Sequence, residues 1–583
     1  MSSVARTVGR RQAVGLAFAL VCVGVGEHVN RTVPHAYLDE IFHAPQAARY
    51  CDGDYKTYDP KLTTPPGLYI LSLLLYRILP GWLTGHSACT DVSFLRGTNL
   101  VLLLLLPHLL HSLRAQIMKD KSQLPPAYTR HAMLDEAATR APLEITPGAV
   151  GVSSEQEPDR RHPASHGAVP RPAPAQHPRG GRSGKLTLQE VLEASRLSEW
   201  LYTLSTWRVY EGHVIAFLPP LWFFGFLYYT DIGGVCFVLA SARAALSSRH
   251  VLAAWLGFVS LLFRQTNVIW LMFIMATSVL RLAQVDSNVG HSTSQTFYSL
   301  LRLVGGPDRQ LALRIVAPYI PIFMLFAAFL LWNDLSIVLG DKSNHIATLH
   351  FAQLPYFLAF SLFFGWPAML SQAGGPIALV HHTVRTLAGN ARQVLITVVL
   401  CGLATAAIKY GTLAHPFLLA DNRHYSFYVW RRIINRTTWS RYALVPFYVV
   451  SARCWIDALS RTQSDLWILG LCASTALTLI PSPLIEPRYF LVPYLLMRLH
   501  IPSGPPRSRS SQTQCRSTSP RQGEGEEREI REAPRARDEE SRPVWGLLLE
   551  LAWFAVLNIV TMYLFLHRPF KWPSGQGWQR FMW

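Results

Sequence analysis

The sequence predicts an all-α polytopic membrane protein, and three observations lead to that fold class. Half of its 583 residues are hydrophobic and 15% are charged, whereas soluble domains carry about 25% charged residues. The mean hydropathy is positive, at +0.19. Apolar residues also cluster in runs at 101–106, 251–263 and 315–331, which with their flanks approach the ~20 residues that a membrane-spanning helix needs. A single soluble globular domain is therefore excluded.

The formal net charge of +18 raises the question of a nucleic-acid partner. The Lys and Arg residues lie mainly in loops, tails and two polar inserts, and an excess of these residues on the cytoplasmic face is usual in membrane proteins. We therefore expect a membrane-lipid environment and no nucleic-acid partner.

The eight cysteines predict neither a disulfide framework nor a zinc site. No CxxC pair and no cluster with histidine occurs, and most of them lie in apolar stretches, where cysteine behaves as a small hydrophobic residue. A Cys51–Cys89 bridge stays open, provided that both residues face an oxidising lumen.

Hydrophobic segments follow one another along the chain. The run at 13–26, preceded by arginines and followed by no small-residue cleavage site, predicts an uncleaved first span with a cytosolic N-terminus. Residues 27–66 then form the first luminal loop. Further segments begin near residues 67, 92, 213, 233, 251, 312, 353, 393, 440, 464 and 545, and a shorter one covers 490–499. Roughly 11–13 hydrophobic helices result, of which some lie flat or re-enter the membrane.

Two polar stretches interrupt this pattern and define the domain organisation. They are rich in Pro, Ser and charged residues and cannot bury enough apolar surface to offset ordering entropy, so we expect two disordered cytosolic inserts. The chain then divides into first spans with the first luminal loop (1–118), an insert (119–186), a central transmembrane region (187–501), a second insert (502–543) and a last span with a tail (544–583).

The first luminal loop carries adjacent acids, Asp39 and Glu40, followed by His43. If residues 38–50 are helical, Asp39, His43 and Gln46 share one face. That face fits either an ordinary amphipathic helix at the membrane surface or a catalytic site, because a carboxylate at the lipid interface can act as a general base.

Arginines mark three further polar sites. Arg264 in FRQTN interrupts a long apolar stretch, which indicates either an anion site or a junction between two helices. Asp421, Arg423 and His424 offer donors for phosphate or sugar hydroxyls beside aromatic residues, although an aromatic belt at the interface would look similar. Arg488 can bind a phosphate or neutralise Glu486.

The tail QRFMW at 579–583 is amphipathic and predicts an interfacial anchor. The sequence contains no Walker loop, HExxH motif, nucleophile elbow or soluble DxD-bearing domain. We therefore expect no cofactor and no metal, and any glycosyl donor should be lipid-borne.

Taken together, the motifs resemble one family. The sequence is similar to the endoplasmic-reticulum α-1,2-glucosyltransferases that add the last glucose to the lipid-linked oligosaccharide from dolichyl-phosphate glucose. The strings that carry the resemblance are DEIFHAPQAARYC (39–51), DPKLTTPPGLY (59–69), FGFLYYT (224–230), FRQTN (263–267), GDKSNH (340–345), HFAQLPY (350–356), LLADNRHYSFYVWRR (418–432), RYF (488–490) and QRFMW (579–583).

This resemblance implies a GT-C-like helical bundle that is a metal-independent, inverting hexosyltransferase of the endoplasmic-reticulum membrane. Luminal loops would form its active site, and dolichyl-phosphate glucose and the lipid-linked oligosaccharide Glc2Man9GlcNAc2-PP-dolichol would be its substrates. The expected base in the first luminal loop falls on Asp39, with Glu40 as the alternative.

The leaving phosphate would be stabilised by Arg423, His424 or Arg488, with Arg264 as a fourth candidate; His43 and Asp421 complete the predicted substrate-binding set. Pro487 departs from the aromatic residue more usual before that arginine, and both inserts are longer than the family's loops. Two alternatives stay open from the residues alone: a transporter or channel-associated protein without glycosyl transfer, and a related GT-C enzyme with a different sugar donor.

Overall fold

A computed structural model describes residues 2–79, 89–122, 209–285, 293–306, 309–340, 342, 346–501, 545–572 and 577–583. The predicted insert at 119–186 lies outside the described residues from 123 onward, and the insert at 502–543 lies wholly outside them. Of the motif at 340–345, the structure describes Gly340 and Lys342.

The described residues are mainly helical. The α-helices up to residue 332 are α1 (Ser2–Thr32), α2 (Glu40–Cys51), α3 (Gly67–Ile78), α4 (Val92–Ser122), α5 (Val209–Ala216), α6 (Pro219–Phe224), α7 (Asp231–Leu246), α8 (His250–Leu261), α9 (Asn267–Val285), α10 (Thr293–Gly305), α11 (Arg309–Val316) and α12 (Ile320–Trp332). Those that follow are α13 (Gln353–Ala373), α14 (Pro376–Ala388), α15 (Ala391–Gly411), α16 (Pro416–Ala420), α17 (Tyr425–Val429), α18 (Ser440–Ala443), α19 (Val445–Ser460), α20 (Asp465–Leu479), α21 (Leu491–His500) and α22 (Trp545–His567). Two short antiparallel strands, β1 (Phe570–Lys571) and β2 (Trp578–Gln579), follow α22.

Within the described part of the chain, eight helical segments are long and apolar enough to cross a membrane. They are Gln12–Thr32, Val92–Met118, Asn267–Gln284, Arg309–Trp332, Gln353–Ala373, Ala391–Gly411, Ser440–Ser460 and Trp545–His567. Three shorter apolar helices, α3, α8 and α20, accompany them. The predicted all-α polytopic fold is confirmed, and the chain is a multi-pass membrane protein.

Proline shapes two of the predicted segments. The segment expected from residue 213 is two helices, because Pro219 and Pro220 at the start of α6 have no N–H to continue α5. The segment expected near 312 contains a 3-10 turn at Ala317–Tyr319, which includes a proline, between α11 and α12.

The first luminal loop rests on a small apolar core of its own. This core comprises Ala44, Ala47, Tyr50, Leu62, Leu68, Tyr69, Leu95, Tyr228 and Phe263. Because these residues come from α2, α3, α4 and the connections before α3, α7 and α9, the core fixes α2 against the end of the bundle that carries Asp39. We call this end the first-loop end.

Helix α3 lies at the first-loop end and is shorter than a membrane-spanning helix. Its 12 residues span only ~18 Å, against a hydrocarbon thickness of ~30 Å. It begins where the Gly67 amide donates to the Leu262 carbonyl at 2.8 Å, and a Cβ on Gly67 would come within 2.6 Å of that oxygen. After α3 the chain returns to Cys89, which forms a disulfide with Cys51. The sequence left this bridge open, and the structure contains it.

A buried ionic network joins four helices at the other end of the bundle. Arg498 donates to Glu550 at 2.7 and 2.8 Å and to Glu211 at 2.8 Å, and Arg114 donates to Glu211 at 3.2 Å. Along α4, Arg114 is ~27 Å from Arg96, which lies at the first-loop end. The described residues that flank the two inserts, at 122, 209, 501 and 545, therefore lie near the end opposite the first loop.

Candidate active site

Five charged residues from four separate parts of the chain meet at the first-loop end. They are Asp39, Asp231, Arg264, Glu486 and Arg488, which we call the Arg488 cluster. The Arg488 guanidinium lies 3.2 Å from the Asp39 carboxylate, 3.6 Å from that of Asp231 and 2.5 Å from that of Glu486. Arg264 donates to Asp231 at 2.6 Å. Three of the predicted site residues, Asp39, Arg264 and Arg488, thus lie together with two acids, Asp231 and Glu486, that the sequence did not assign to the site.

Asp39 occupies the N-cap position of α2, one residue before the helix begins at Glu40. Its carboxylate makes no capping bond to the helix, although capping is the usual role of aspartate there. The preceding Leu38 has φ of +54°, a left-handed conformation that costs a non-glycine residue ~1–2 kcal/mol. The Asp39 side chain is 41% exposed, so it is both held in place and accessible.

Glu40 points the opposite way, into the protein. Its carboxylate accepts two bonds from Arg96, at 2.6 and 2.9 Å. It also accepts from the backbone amides of Tyr228 at 2.7 Å and Tyr37 at 3.0 Å. With no exposed surface and four donors around it, Glu40 ties together the first loop, α4 and the chain before α7.

His43 and Gln46 also face the interior. The His43 ring is buried and hydrogen bonds through Nδ1 to the Tyr69 hydroxyl at 2.6 Å. Burial lowers the pKa of His43, which favours the neutral ring. Gln46 bonds to the Thr57 carbonyl and the Asp59 amide, so it fixes the second half of the loop. Of the helix face formed by Asp39, His43 and Gln46, only Asp39 is therefore accessible to a substrate.

The FRQTN motif forms a junction between α8 and α9, and its arginine belongs to a polar site. Arg264 pairs with Asp231 and lies over the Tyr489 ring, 4.8 Å from the centroid. Its side chain is 21% exposed, and its buried Nε has no hydrogen-bond partner. Gln265 donates to the Thr63 carbonyl at 2.8 Å, which fixes the junction to the first loop. The guanidinium therefore retains donors that are not used.

Asp421 and Arg423 form a paired unit beside this cluster. Arg423 donates to Asp421 at 2.7 and 2.8 Å and to Gln579 at 3.2 Å, and its guanidinium lies over the Trp572 ring. Burial opposes the charged form of Asp421, but the hydrogen bonds and charge of Arg423 outweigh it and lower the pKa of Asp421. His424 lies 3.6 Å from the same carboxylate.

The segment 577–583 packs against this unit, and the interfacial anchor expected there stays a prediction. Met582 pairs with the chain at Arg423 and Tyr425 through backbone bonds of 2.9 and 3.0 Å. The Met582 side chain is buried, and the Trp583 ring contacts Phe364.

Their mutual attraction favours the charged forms of Arg488 and Glu486. Burial opposes the charge on Arg488, but Glu486 and Asp231 outweigh it and raise the pKa of Arg488 well above its ordinary value. Burial likewise opposes ionisation of Glu486, and the Arg488 charge reverses this and lowers the pKa of Glu486. An accessible carboxylate beside fixed cations is suited to removing a proton while stabilising an anion.

Comparisons with known proteins agree with the motifs that span the chain. The sequence matches the model of the DIE2/ALG10 family over residues 33–137 and 185–499. A Mycosarcoma maydis protein named Dol-P-Glc:Glc(2)Man(9)GlcNAc(2)-PP-Dol alpha-1,2-glucosyltransferase is 33% identical, and the alignment covers 96% of this chain and 94% of that protein. A protein of the same name from Arabidopsis thaliana is 28% identical, and the alignment covers 98% of this chain and 99% of that protein. Another, from Homo sapiens, is 29% identical, and the alignment covers 98% of each chain.

No solved structure matches the chain. The family match nevertheless covers most of the sequence and contains every residue of the Arg488 cluster. The resemblance inferred from the motifs is confirmed, and the chain belongs to the DIE2/ALG10 family.

Proposed function

We propose that the chain transfers glucose from dolichyl-phosphate glucose to the terminal glucose of Glc2Man9GlcNAc2-PP-dolichol and forms an α-1,2 linkage. Full-length similarity to relatives named for this activity supports the reaction. The observation that carries the chemistry is the exposed Asp39 carboxylate beside Arg488. The transporter alternative gains no support, because each relative compared above is named as a glucosyltransferase.

Asp39 is the general base of this reaction. It takes the proton of the acceptor 2-hydroxyl while that oxygen bonds to C1 of the donor glucose and the bond from C1 to the phosphate oxygen breaks. The resulting single displacement turns a β-linked donor into an α-linked product. Exposure supports Asp39 over the other carboxylates of the cluster, since its side chain is 41% exposed and those of Glu486 and Asp231 are 19% and 2% exposed.

Arg264 and Arg488 are the cations that stabilise the leaving dolichyl phosphate. Both lie in the cluster with Asp39, and Arg264 has donors that no protein group uses. Arg423 is less suited, because Asp421 and Gln579 already occupy much of its guanidinium. We therefore propose that Arg423, His424 and Asp421 shape the acceptor side of the site.

Glu40 and His43 support the site and do not contact substrate. Four donors surround the Glu40 carboxylate, which leaves it no free position to receive a substrate proton. His43 is buried beneath the loop against Tyr69. Their contribution is to hold the turn that presents Asp39.

The active site faces the lumen of the endoplasmic reticulum in this proposal. The Cys51–Cys89 disulfide joins the loop that carries Asp39 to the chain before α4, and structural disulfides persist in oxidising compartments such as the endoplasmic-reticulum lumen. The polyprenyl carriers of both substrates fit a protein with many apolar helices.

The test uses purified protein, the diglucosylated lipid-linked oligosaccharide and labelled glucose, offered on dolichyl phosphate or on UDP in separate reactions. We expect product from the dolichyl donor alone. Asp39→Asn should lower kcat by about 10²–10⁴, the range for loss of a general base.

Asp52→Asn is the matched control, because it makes the same change at an exposed position at the other end of α2. It should retain wild-type activity. Absence of product from both donors, with folded wild-type protein, would contradict the proposed reaction. Full activity of Asp39→Asn would leave the reaction standing and remove Asp39 as its base.

A further inference from the structure

Arg580 joins the ends of the first and last helices. Its guanidinium donates to the Phe565 and Leu566 carbonyls in the last turn of α22, at 2.8 and 2.9 Å, and to the Thr32 carbonyl at the end of α1, at 3.2 Å. Carbonyls at helix C-termini lack intrahelical partners, and a cation there is favoured by the helix dipole. One side chain thus fixes two helices to each other at the first-loop end.

The backbone of Arg580 hydrogen bonds to the turn that carries Asp39. The Arg580 amide donates to the Tyr37 hydroxyl at 2.8 Å, and this hydroxyl donates to the Arg580 carbonyl at 3.0 Å. Tyr37 is two residues before Asp39, and its own amide donates to Glu40 at 3.0 Å. The turn with the left-handed Leu38 is therefore held from both sides, by Glu40 and by Arg580.

The other side of the same segment holds the 421–424 loop. Met582 bonds to the backbone of Arg423 and Tyr425, Gln579 accepts from Arg423, and the Trp583 carbonyl lies 2.9 Å from His424 Nδ1. Residues 579–583 therefore lie between the turn that presents the base and the loop that carries Arg423 and His424.

We propose that Arg580 is a positioning residue of the active site. Through the segment 579–583, it fixes the position of the Asp39 turn relative to the 421–424 loop. This inference rests on the proposed function, because the relative position of the turn and the loop matters only if both act on the same substrates. Arg580 touches neither substrate. Misplacing reacting groups by ~1 Å costs about 10²-fold in rate, so loss of the Arg580 contacts should act mainly on kcat.

The experiment compares Arg580→Ala with wild type in the glucosyl-transfer assay. We expect kcat to fall by about 100-fold, with the KM for each substrate changed less than about threefold. Added guanidinium ion at millimolar concentration should restore part of kcat, because it can occupy the vacated position between the two helix ends. Arg568→Ala is the matched control, since Arg568 is an exposed arginine just after α22, and it should behave as wild type with and without guanidinium.

A second readout does not depend on turnover. Backbone amides at 33–39 and 421–425 should exchange with deuterium faster in Arg580→Ala, while those of α4 stay protected. If Arg580→Ala does not fold, Tyr37→Phe answers the same question, because it removes only the hydroxyl that holds the Arg580 backbone. It should lower kcat by about tenfold with an unchanged melting temperature.

Several outcomes would overturn the inference. They are unchanged kcat in Arg580→Ala, or unchanged kcat in Tyr37→Phe if the first variant is unfolded. A loss of activity that follows the loss of folded protein, with no guanidinium rescue and no local change in exchange, would also overturn it. If wild type transfers no glucose, the proposed function fails, and the exchange data alone decide whether Arg580 orders the two segments.

Discussion

Substitutions at Asp39 and Glu40 should have opposite consequences although the two residues are adjacent. Glu40→Gln keeps the shape of the side chain but removes its charge, and its amide then faces the Arg96 guanidinium, donor against donor. Breaking a buried ion pair by removing one partner costs about 3–5 kcal/mol. Because both side chains of the Glu40–Arg96 pair are fully buried, we expect a cost in this range, which is roughly a 10²–10⁴-fold change in the folding equilibrium.

Asp39→Asn should leave stability nearly unchanged. Its carboxylate is 41% exposed and has one ion-pair contact, at 3.2 Å, to Arg488. Exposed pairs contribute about 0–1 kcal/mol. Glucosyl transfer should nevertheless slow by about 10²–10⁴, because the proton acceptor is gone.

The assay measures thermal unfolding by tryptophan fluorescence and transfer rate on the same purified samples. Glu40→Gln should melt well below wild type, and Glu40→Gln/Arg96→Gln should recover part of the loss because no unpaired charge stays buried. Asp39→Asn should have the wild-type melting temperature and a transfer rate lower by about 10²–10⁴. A Glu40→Gln protein with the wild-type melting temperature and no activity would refute this reasoning and make Glu40 the base.

Four further predictions address the donor, metal ions, the disulfide and pH. Arg264→Met should lower kcat/KM for the dolichyl donor by about 10–100-fold, since a charge-assisted bond contributes about 1.5–3 kcal/mol; initial rates at varied donor concentration measure this. EDTA should leave initial rates unchanged, because the proposed chemistry uses only side-chain cations. Cys51→Ser should lower stability by about 3–4 kcal/mol through loss of a bridge that closes a long loop, seen in the melting temperature. Burial lowers the pKa of His43, so below about pH 6.5 the unfolded chain binds a proton on this residue that the folded chain does not bind. The melting temperature should therefore fall as the pH decreases, and it should fall less steeply in His43→Gln.

The long apolar helices were predictable because their signal is local. Runs of apolar residues near 92, 353 and 545 begin helices within one residue of the expected positions, since a segment of that composition has few other stable structures in a membrane. Helix α3 has a similar composition, but its 12 residues lie at the first-loop end because the close contact at Gly67 and the disulfide determine its direction.

The site was predictable only in part. Sequence patterns put forward Asp39, Arg264 and Arg488, which the structure brings together, because charged residues beside apolar spans are unusual. They could not rank Asp39 against Glu40, whose difference comes from Arg96, 56 residues away along the chain. Asp231 was missed although it directly follows the recognised string FGFLYYT, since an acid at a helix start usually serves only the helix dipole.

The charges of the Arg488 cluster explain how one arginine, Arg488, can stabilise first the Asp39 carboxylate and then the leaving phosphate. In the proposed reaction Asp39 loses its negative charge on taking the proton, while the phosphate of the donor changes from a singly charged diester to a doubly charged monoester. The total charge is conserved and moves from the base to the leaving group. Arg488 lies 3.2 Å from Asp39 and is fixed on its other side by Glu486, so its attraction to Asp39 weakens as the proton arrives. A cation held in this way can stabilise the base before transfer and the phosphate after it without moving. Such a preorganised charge stabilises a transition state most strongly in a site of low dielectric constant.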